Sequence, residues 1–377
     1  AEAFRLALTL DPAGIDRSSN PLGLRKLIAR IALKDDRPNE ALAMLLPILE
    51  QGPDAQASWL LSRAHLRAGS LDEARDPLTR AGSYRADHPL ENDPGPYVGE
   101  ARCEKCHSRI FRDSLANRHT QSYYRGNQLL DLPRPHQPLP DPDDPKVTHS
   151  VEERGNALIE RTKVGNQIHD AVIEYAFGTS DRYLTTVNRD TAGDYRIARM
   201  SYYQTKDGRG WDRSALDSIH PTEGTGFQGE PVGVRDGMIK CLYCHATNPR
   251  GGGNRVGPET ADRAVGCERC HGPGGNHVLA VARGFPDLAI VNQATASPAA
   301  VTVKQCNDCH ILDRSFPDSD PKHPSWIRSQ GVGWTVSRCN TESGGMFGCV
   351  TCHDPHKPAA ATTTEQYEAK CVSCHVA

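Results

Sequence analysis

Twelve of the 13 cysteines fall into six Cys-x-x-Cys-His units. In chain order these are Cys103, Cys106 and His107; Cys241, Cys244 and His245; Cys267, Cys270 and His271; Cys306, Cys309 and His310; Cys349, Cys352 and His353; and Cys371, Cys374 and His375, numbered here as motifs 1 to 6. The pattern is the attachment signature of c-type haem: two thioethers hold the porphyrin, and the adjoining imidazole takes one axial position on iron. Paired Cys-x-x-Cys units also build tetrahedral zinc sites, but zinc does not require His after every second Cys. With 16 His in 377 residues, six such placements by accident have a chance on the order of 10⁻⁸. The sequence therefore predicts six covalently attached haems, with His107, His245, His271, His310, His353 and His375 as proximal ligands.

Sixth ligands must come from the ten remaining His, because only Met44, Met200, Met238 and Met346 offer thioethers. Paired imidazoles are expected, and with them low potentials, since Met coordination raises the haem potential. His119 follows His107 on a predicted helix, about 18 Å further along its axis. If it is a ligand it must serve a haem other than that of motif 1, an exposed surface histidine being the alternative. His356, just after His353, lies on the wrong side of its own porphyrin and must also reach elsewhere. His220 and His323 precede prolines in loops and are further distal candidates, solvent exposure being the alternative. His136, His65 and His88 read as spacer, repeat-core and linker residues, and Cys339 as a small buried hydrophobe.

Several kinds of segment must position these groups. Residues 1–90 read as paired helices: Glu40-Ala41 recurs as Glu73-Ala74, with Gly69 in the intervening turn. This resembles the tetratricopeptide repeat, a generic array of helical hairpins being the alternative. The stretch ending Ala7 to Pro12 looks like the close of a repeat, so the chain is expected to start inside a unit with further repeats upstream; it has no initiating Met or signal peptide. Residues 97–130 form a first haem segment, and the Pro-rich run 131–145 an extended spacer. Residues 147–205 carry β-branched and aromatic runs punctuated by Gly178, Asp190 and Gly193, predicting a small antiparallel insertion. The five-haem segment 206–377 holds motifs 2 to 6, all between Cys241 and His375, a density that leaves little protein between macrocycles. The fold class is thus a mixed, loop-rich multihaem cytochrome.

Composition agrees with that reading. Apolar residues are 37%, with 33 Gly and 27 Pro, so porphyrin plates are expected to fill core volume. Mean hydropathy is −0.58 and the most apolar stretch, near Ala41 to Leu49, is broken by Pro47, which excludes a membrane-spanning helix. Net charge of −3 gives no basic footprint for nucleic acid. Haem propionates and iron would move it to about −9 oxidised and about −15 reduced, favouring redox partners with positive docking surfaces.

Tyr97-Val-Gly before motif 1, Ser114 to His119 after it, Cys267-Glu-Arg-Cys-His-Gly-Pro-Gly running to His277, and Ser337-Arg-Cys339 before Cys349-Val-Thr-Cys-His-Asp-Pro-His356 together resemble bacterial multihaem cytochromes carrying tetratricopeptide repeats. These are related to the tetrahaem cytochromes of ammonia oxidisers. The likeness covers roughly residues 97–377. It implies distal roles for His277 and for His149 and His169, a hydrogen-bonded sheet histidine being the alternative for the last two. No motif ends in Lys, unlike the catalytic haem of pentahaem nitrite reductases.

The function expected is electron transfer along low-potential haems between redox partners, with the helical repeats as docking platform. One alternative is an oxidoreductase acting on a small nitrogen or sulfur compound at a five-coordinate haem, flanked by a group such as Arg182 or Arg199. Another is a polymerising extracellular filament. Thioether attachment occurs outside the bacterial inner membrane, so a periplasmic, extracellular or cell-surface location is expected.

Overall fold

The computed structural model describes residues 20–88, 93–205, 208–214, 227–232, 236–248, 264–285, 299–310, 330–373 and 375. His220, His323, Cys374 and the repeat end near Ala7 to Pro12 lie outside the described residues. The chain divides into two compact units. Described residues up to Ser114 and from Cys267 onward form the first, and those from Leu115 to Gly266 the second.

Among the described residues, the first unit begins with four helices, α1 (Pro21–Lys34), α2 (Pro38–Gln51), α3 (Ala55–Ala68) and α4 (Leu71–Ala81). Local chemistry sets their ends. Asn20 caps α1 by accepting from the Gly23 N–H at 2.9 Å, and Asp54 caps α3 by accepting from Ala57 at 2.8 Å. Proline occupies the first position of α1 and of α2, where its missing N–H costs nothing. Gly69 ends α3 in the left-handed region at φ 86°, which a side chain would strain. The short connections between them force successive helices to pack as hairpins. Alanines at 29, 32, 41, 57 and 64 allow close approach around the fully buried Trp59, with Leu33, Leu45, Ile48 and Leu60 completing the core.

A second apolar cluster joins these helices to the later chain. Leu66 and Ala74 pack with Ala280 of the helix Gly275–Ala282, and the Arg75 guanidinium lies 4.5 Å from the Phe285 ring centre. Helices α3 and α4 thus pack directly against the segment that carries His277.

The second unit is a ten-stranded antiparallel sheet packed on a helix. Its strands are β1 (Tyr123–Arg125), β2 (Leu139–Pro140), β3 (Val147–Arg154), β4 (Ala157–Val164), β5 (Gln167–Thr179), β6 (Tyr183–Arg189), β7 (Tyr195–Ile197), β8 (Met200–Thr205), β9 (Gly208–Arg213) and β10 (Glu230–Val232). The main order is β10-β7-β6-β5-β4-β3-β2, with β1 on β5 and β8 between β6 and β9. The sheet is larger than the expected 147–205 insertion. It recruits β1 and β2 from before that span and β9 and β10 from after it. Along β4, Leu158, Glu160 and Thr162 are buried in turn, the period-2 pattern of a strand with one inward face. Tyr123 stacks between Tyr175 and Phe177, and this aromatic row packs with Met238, Leu242 and Ala246 at the helix Asp236–His245. The sheet is therefore the surface on which motif 2 sits.

No helix among the described residues is long and apolar enough to cross a membrane.

Candidate functional site

Each described attachment motif lies on a short or broken helix. Motif 1 is carried by the helix Glu100–Leu115, which departs from helical geometry at His107, φ −109° and ψ 38°. Motif 3 is the short helix Cys267–His271, motif 4 ends the helix Ala299–His310, and motif 5 opens with Cys349–Cys352. One turn of helix places the two thiols of such a motif on one side. The twelve described cysteines are free thiols, and no group of three or more His, Cys, Asp or Glu converges as a metal site among the described residues.

Two pairs of histidines meet ring to ring. His107 and His277 have centroids 6.3 Å apart with planes inclined at 25°. His271 and His356 lie 6.0 Å apart at 14°. An imidazole nitrogen binds a transition metal at about 2 Å, and the ring centre lies roughly 1 Å behind it, so two axial imidazoles hold centroids about 6 Å apart. Both pairs have that separation, and in both the partners come from different motifs' surroundings. Burial lowers the His271 pKa, and neighbouring His356, His107 and His277 lower it further. Burial and His107 likewise lower that of His277, against an opposing pull from Asp93. Neutral imidazole is the form that ligates a metal.

Three proximal rings are oriented through Nδ1. That of His245 lies 3.1 Å from the Ser122 carbonyl oxygen and that of His310 2.9 Å from Gln330 Oε1. His353 Nδ1 lies 3.3 Å from the Tyr367 hydroxyl. A ring engaged through Nδ1 is one whose Nε2 would serve as the ligating atom if it bound a metal. His375 is exposed near the C-terminal end.

His119 does not lie on a long helix as expected. The helix stops at Leu115, extended Asn117 breaks it, and His119 sits in a 3-10 turn over Arg118–Gln121, its N–H donating to Asn117 Oδ1 at 3.0 Å. The turn shares the second unit with motif 2, and Ser122 just beyond it accepts the His245 contact.

His149 is placed differently. It is buried in β3 with Nε2 2.9 Å from Asp141 Oδ2 and Nδ1 3.2 Å from Thr162 Oγ1, so both ring nitrogens are taken by protein groups. His169 stands across from Thr162 in β5, in one row with His149, and its buried Nε2 has no hydrogen-bond partner. Arg199 is fully buried, and its guanidinium donates to Asp141 and to Asp143. Although burial opposes it, hydrogen bonds from His149 and Arg199 hold the Asp141 carboxyl below the usual range. Cys339, expected buried, is exposed on the short helix Arg338–Thr341.

Sequence reasoning missed the groups that hold the paired histidines. Glu268, inside motif 3, is buried and accepts from the N–H groups of Val98 and Gly99 at 2.9 Å and of Gly274 at 2.7 Å. Asp93 accepts from Arg63 Nε at 2.9 Å and from Asn276 Nδ2 at 2.7 Å, tying α3 to the residue beside His277. Gly275 permits the approach of these segments, since a Cβ there would meet the Pro96 carbonyl oxygen at 2.7 Å. Nothing in the sequence marks these pairings apart from the acidic residue between the two cysteines of motif 3.

No protein-family model and no curated protein matches the chain. Among solved structures, the outer cell wall cytochrome OcwA is similar at 18% identity with a TM-score of 0.33, over 57% of this chain and 37% of that one. A likeness of that size bears on neither fold nor function.

Proposed function

We propose that this chain is a hexahaem c-type cytochrome that transfers electrons between redox partners through low-potential, mostly bis-histidine haems. The observation that carries the reading is the pair of imidazole couples, His107 with His277 and His271 with His356, at the spacing two axial ligands require. The donor chemistry fits: thiols for two thioethers, a following His, and a second neutral imidazole. When bound, haem iron supplies one-electron chemistry by alternating between ferric and ferrous states.

The protein's own groups then have definite tasks. His277 is the distal ligand for motif 1 and His356 for motif 3. His119 is assigned to motif 2, whose unit it shares. Ser122, Gln330 and Tyr367 orient proximal rings at motifs 2, 4 and 5. The α1 to α4 array acts as a tetratricopeptide-like docking platform. Thioether attachment of haem occurs outside the bacterial inner membrane, which supports a periplasmic, extracellular or cell-surface location.

Denatured-protein mass and a carbon monoxide difference spectrum test the reading together. Six haem adducts and no carbon monoxide band in the reduced protein are expected. Zinc in place of iron, or fewer than six adducts, overturns the hexahaem cytochrome; a native high-spin haem shifts the function to catalysis at an open iron.

A further inference from the structure

On the cytochrome reading the histidine couples assign side chains to irons, but they do not say how the attachment sites follow one another. Contacts among the attachment segments of the first unit supply that order. Motif 1 meets motif 3: buried Glu268 of motif 3 accepts from the Val98 and Gly99 N–H groups, just before motif 1. Motif 3 meets motif 4, where Gln305 Nε2 donates to the Cys270 carbonyl at 2.5 Å and Arg269 Nη2 lies 3.7 Å from Cys309 Sγ. Motif 4 meets motif 5 where Gly348, just before Cys349, backs onto the motif 4 helix so closely that a Cβ would lie 3.0 Å from Thr302 Oγ1. Motif 5 meets motif 6, where Lys370 Nζ donates to the Cys352 carbonyl at 2.9 Å and Tyr367 reaches His353.

We infer that the attachment sites of the first unit stand in the spatial order 1, 3, 4, 5, 6, so that motif 1 has motif 3 as its neighbour and motif 6 ends the row. The order departs from the chain by a single omission. Motif 2 is held on the sheet of the second unit, which lets motif 3 close directly on motif 1 although the whole of that sheet intervenes in sequence between Cys103 and Cys267. His356 fits the same arrangement. It follows motif 5 in the chain yet faces His271 of motif 3, as it can only where motifs 3, 4 and 5 are packed together. At the far end, Cys371, Val372 and His375 are exposed. A row of this kind gives electrons one route through the unit, with two distinct ends.

The inference rests on the cytochrome reading, and its test separates the two. Magnetic coupling between ferric haems falls with the cube of their separation, so removing one haem alters the electron paramagnetic resonance signals of its neighbours. The full chain carrying Cys371→Ser with Cys374→Ser should lose one adduct and change the signal of one remaining haem, that of motif 5. Removing motif 3 with Cys267→Ser and Cys270→Ser should alter at least the signals of motifs 1 and 4. If a serine variant does not mature, His375→Met and His271→Met keep both thioethers and perturb the same neighbours through a changed ligand. The order is overturned if loss of motif 6 alters the signal of motif 1 or 3, or if loss of motif 3 leaves motif 1 unchanged. Absence of covalent haem from the unaltered protein, read by mass, would overturn the cytochrome assignment itself.

Discussion

Replacing Glu268 by Ala should destabilise the first unit more than any surface change in the attachment region. The carboxylate is 3% exposed and accepts three backbone N–H bonds, from Val98, Gly99 and Gly274. A buried donor left without an acceptor costs about 1–3 kcal/mol; the Gly274 N–H is buried and bears that cost in full, while half-buried Val98 and exposed Gly99 recover part of theirs from water, for a total of about 2–4 kcal/mol. That is a large fraction of a net stability of roughly 5–15 kcal/mol. Glu268→Gln keeps one acceptor oxygen but aims an NH₂ at donors, and should fall between Ala and wild type. Glu104 is the matched control: it occupies the same position within motif 1 but is exposed, so Glu104→Ala should stay within about 0.5 kcal/mol. Guanidinium unfolding of the oxidised protein, followed by far-ultraviolet dichroism and the Soret band, reads both effects. A Glu268→Ala protein within about 1 kcal/mol of wild type would refute the reasoning, because the three amides would then have found water without loss.

His356→Ala should open the haem of motif 3, not that of motif 5, and His277→Ala the haem of motif 1. Each reduced variant should bind one equivalent of carbon monoxide, and combining His356→Ala with loss of Cys267 and Cys270 should abolish that binding. His149→Ala should leave every haem spectrum unchanged while lowering second-unit stability by about 1–3 kcal/mol, since Asp141 keeps Arg199 but it and Thr162 each lose a buried hydrogen bond; a new high-spin haem would return His149 to the ligands. Stability should also vary with pH in two opposed ways. Burial pushes the Glu160 carboxyl up from 4.5 to about 7, so the folded unit holds a proton that the unfolded chain releases between those values. The second unit gains stability as pH falls through that window, and Glu160→Gln should remove the gain. Asp141, held below its ordinary 3.8, contributes stability above that value which is lost as pH falls through its lower folded pKa. A thermal midpoint that does not move between about pH 7 and about pH 5 would contradict the Glu160 assignment.

Legibility in the sequence followed the range of the interactions involved. The four helices could be read because capping residues, alanine spacing and Gly69 act within a few positions. Strands β3 to β6 are long enough for period-2 alternation, whereas β1, β2, β7 and β10 are too short to carry a period. Their pairing is set by tertiary contact, such as Tyr123 against Phe177. The helix expected to carry His119 failed for a local reason, the extended Asn117 whose side chain caps the following turn.

The attachment chemistry and the distal ligands differ in the same way. Two thioethers and a proximal imidazole must come from one short stretch, so contiguous residues record them. On the proposed assignment a distal imidazole need only arrive on the opposite side, from wherever packing allows: the His277 ring lies against that of His107 from beyond motif 3, and the His356 ring against that of His271 from beyond motif 5. Spacing could exclude His356 from motif 5, since so short a step from His353 cannot cross a porphyrin. It could not choose motif 3 instead, because that choice depends on motif 5 closing on motif 4 and motif 4 on motif 3. Those contacts run through Gln305, Arg269 and the backing of Gly348 on Thr302, groups whose roles exist only once the segments are folded together.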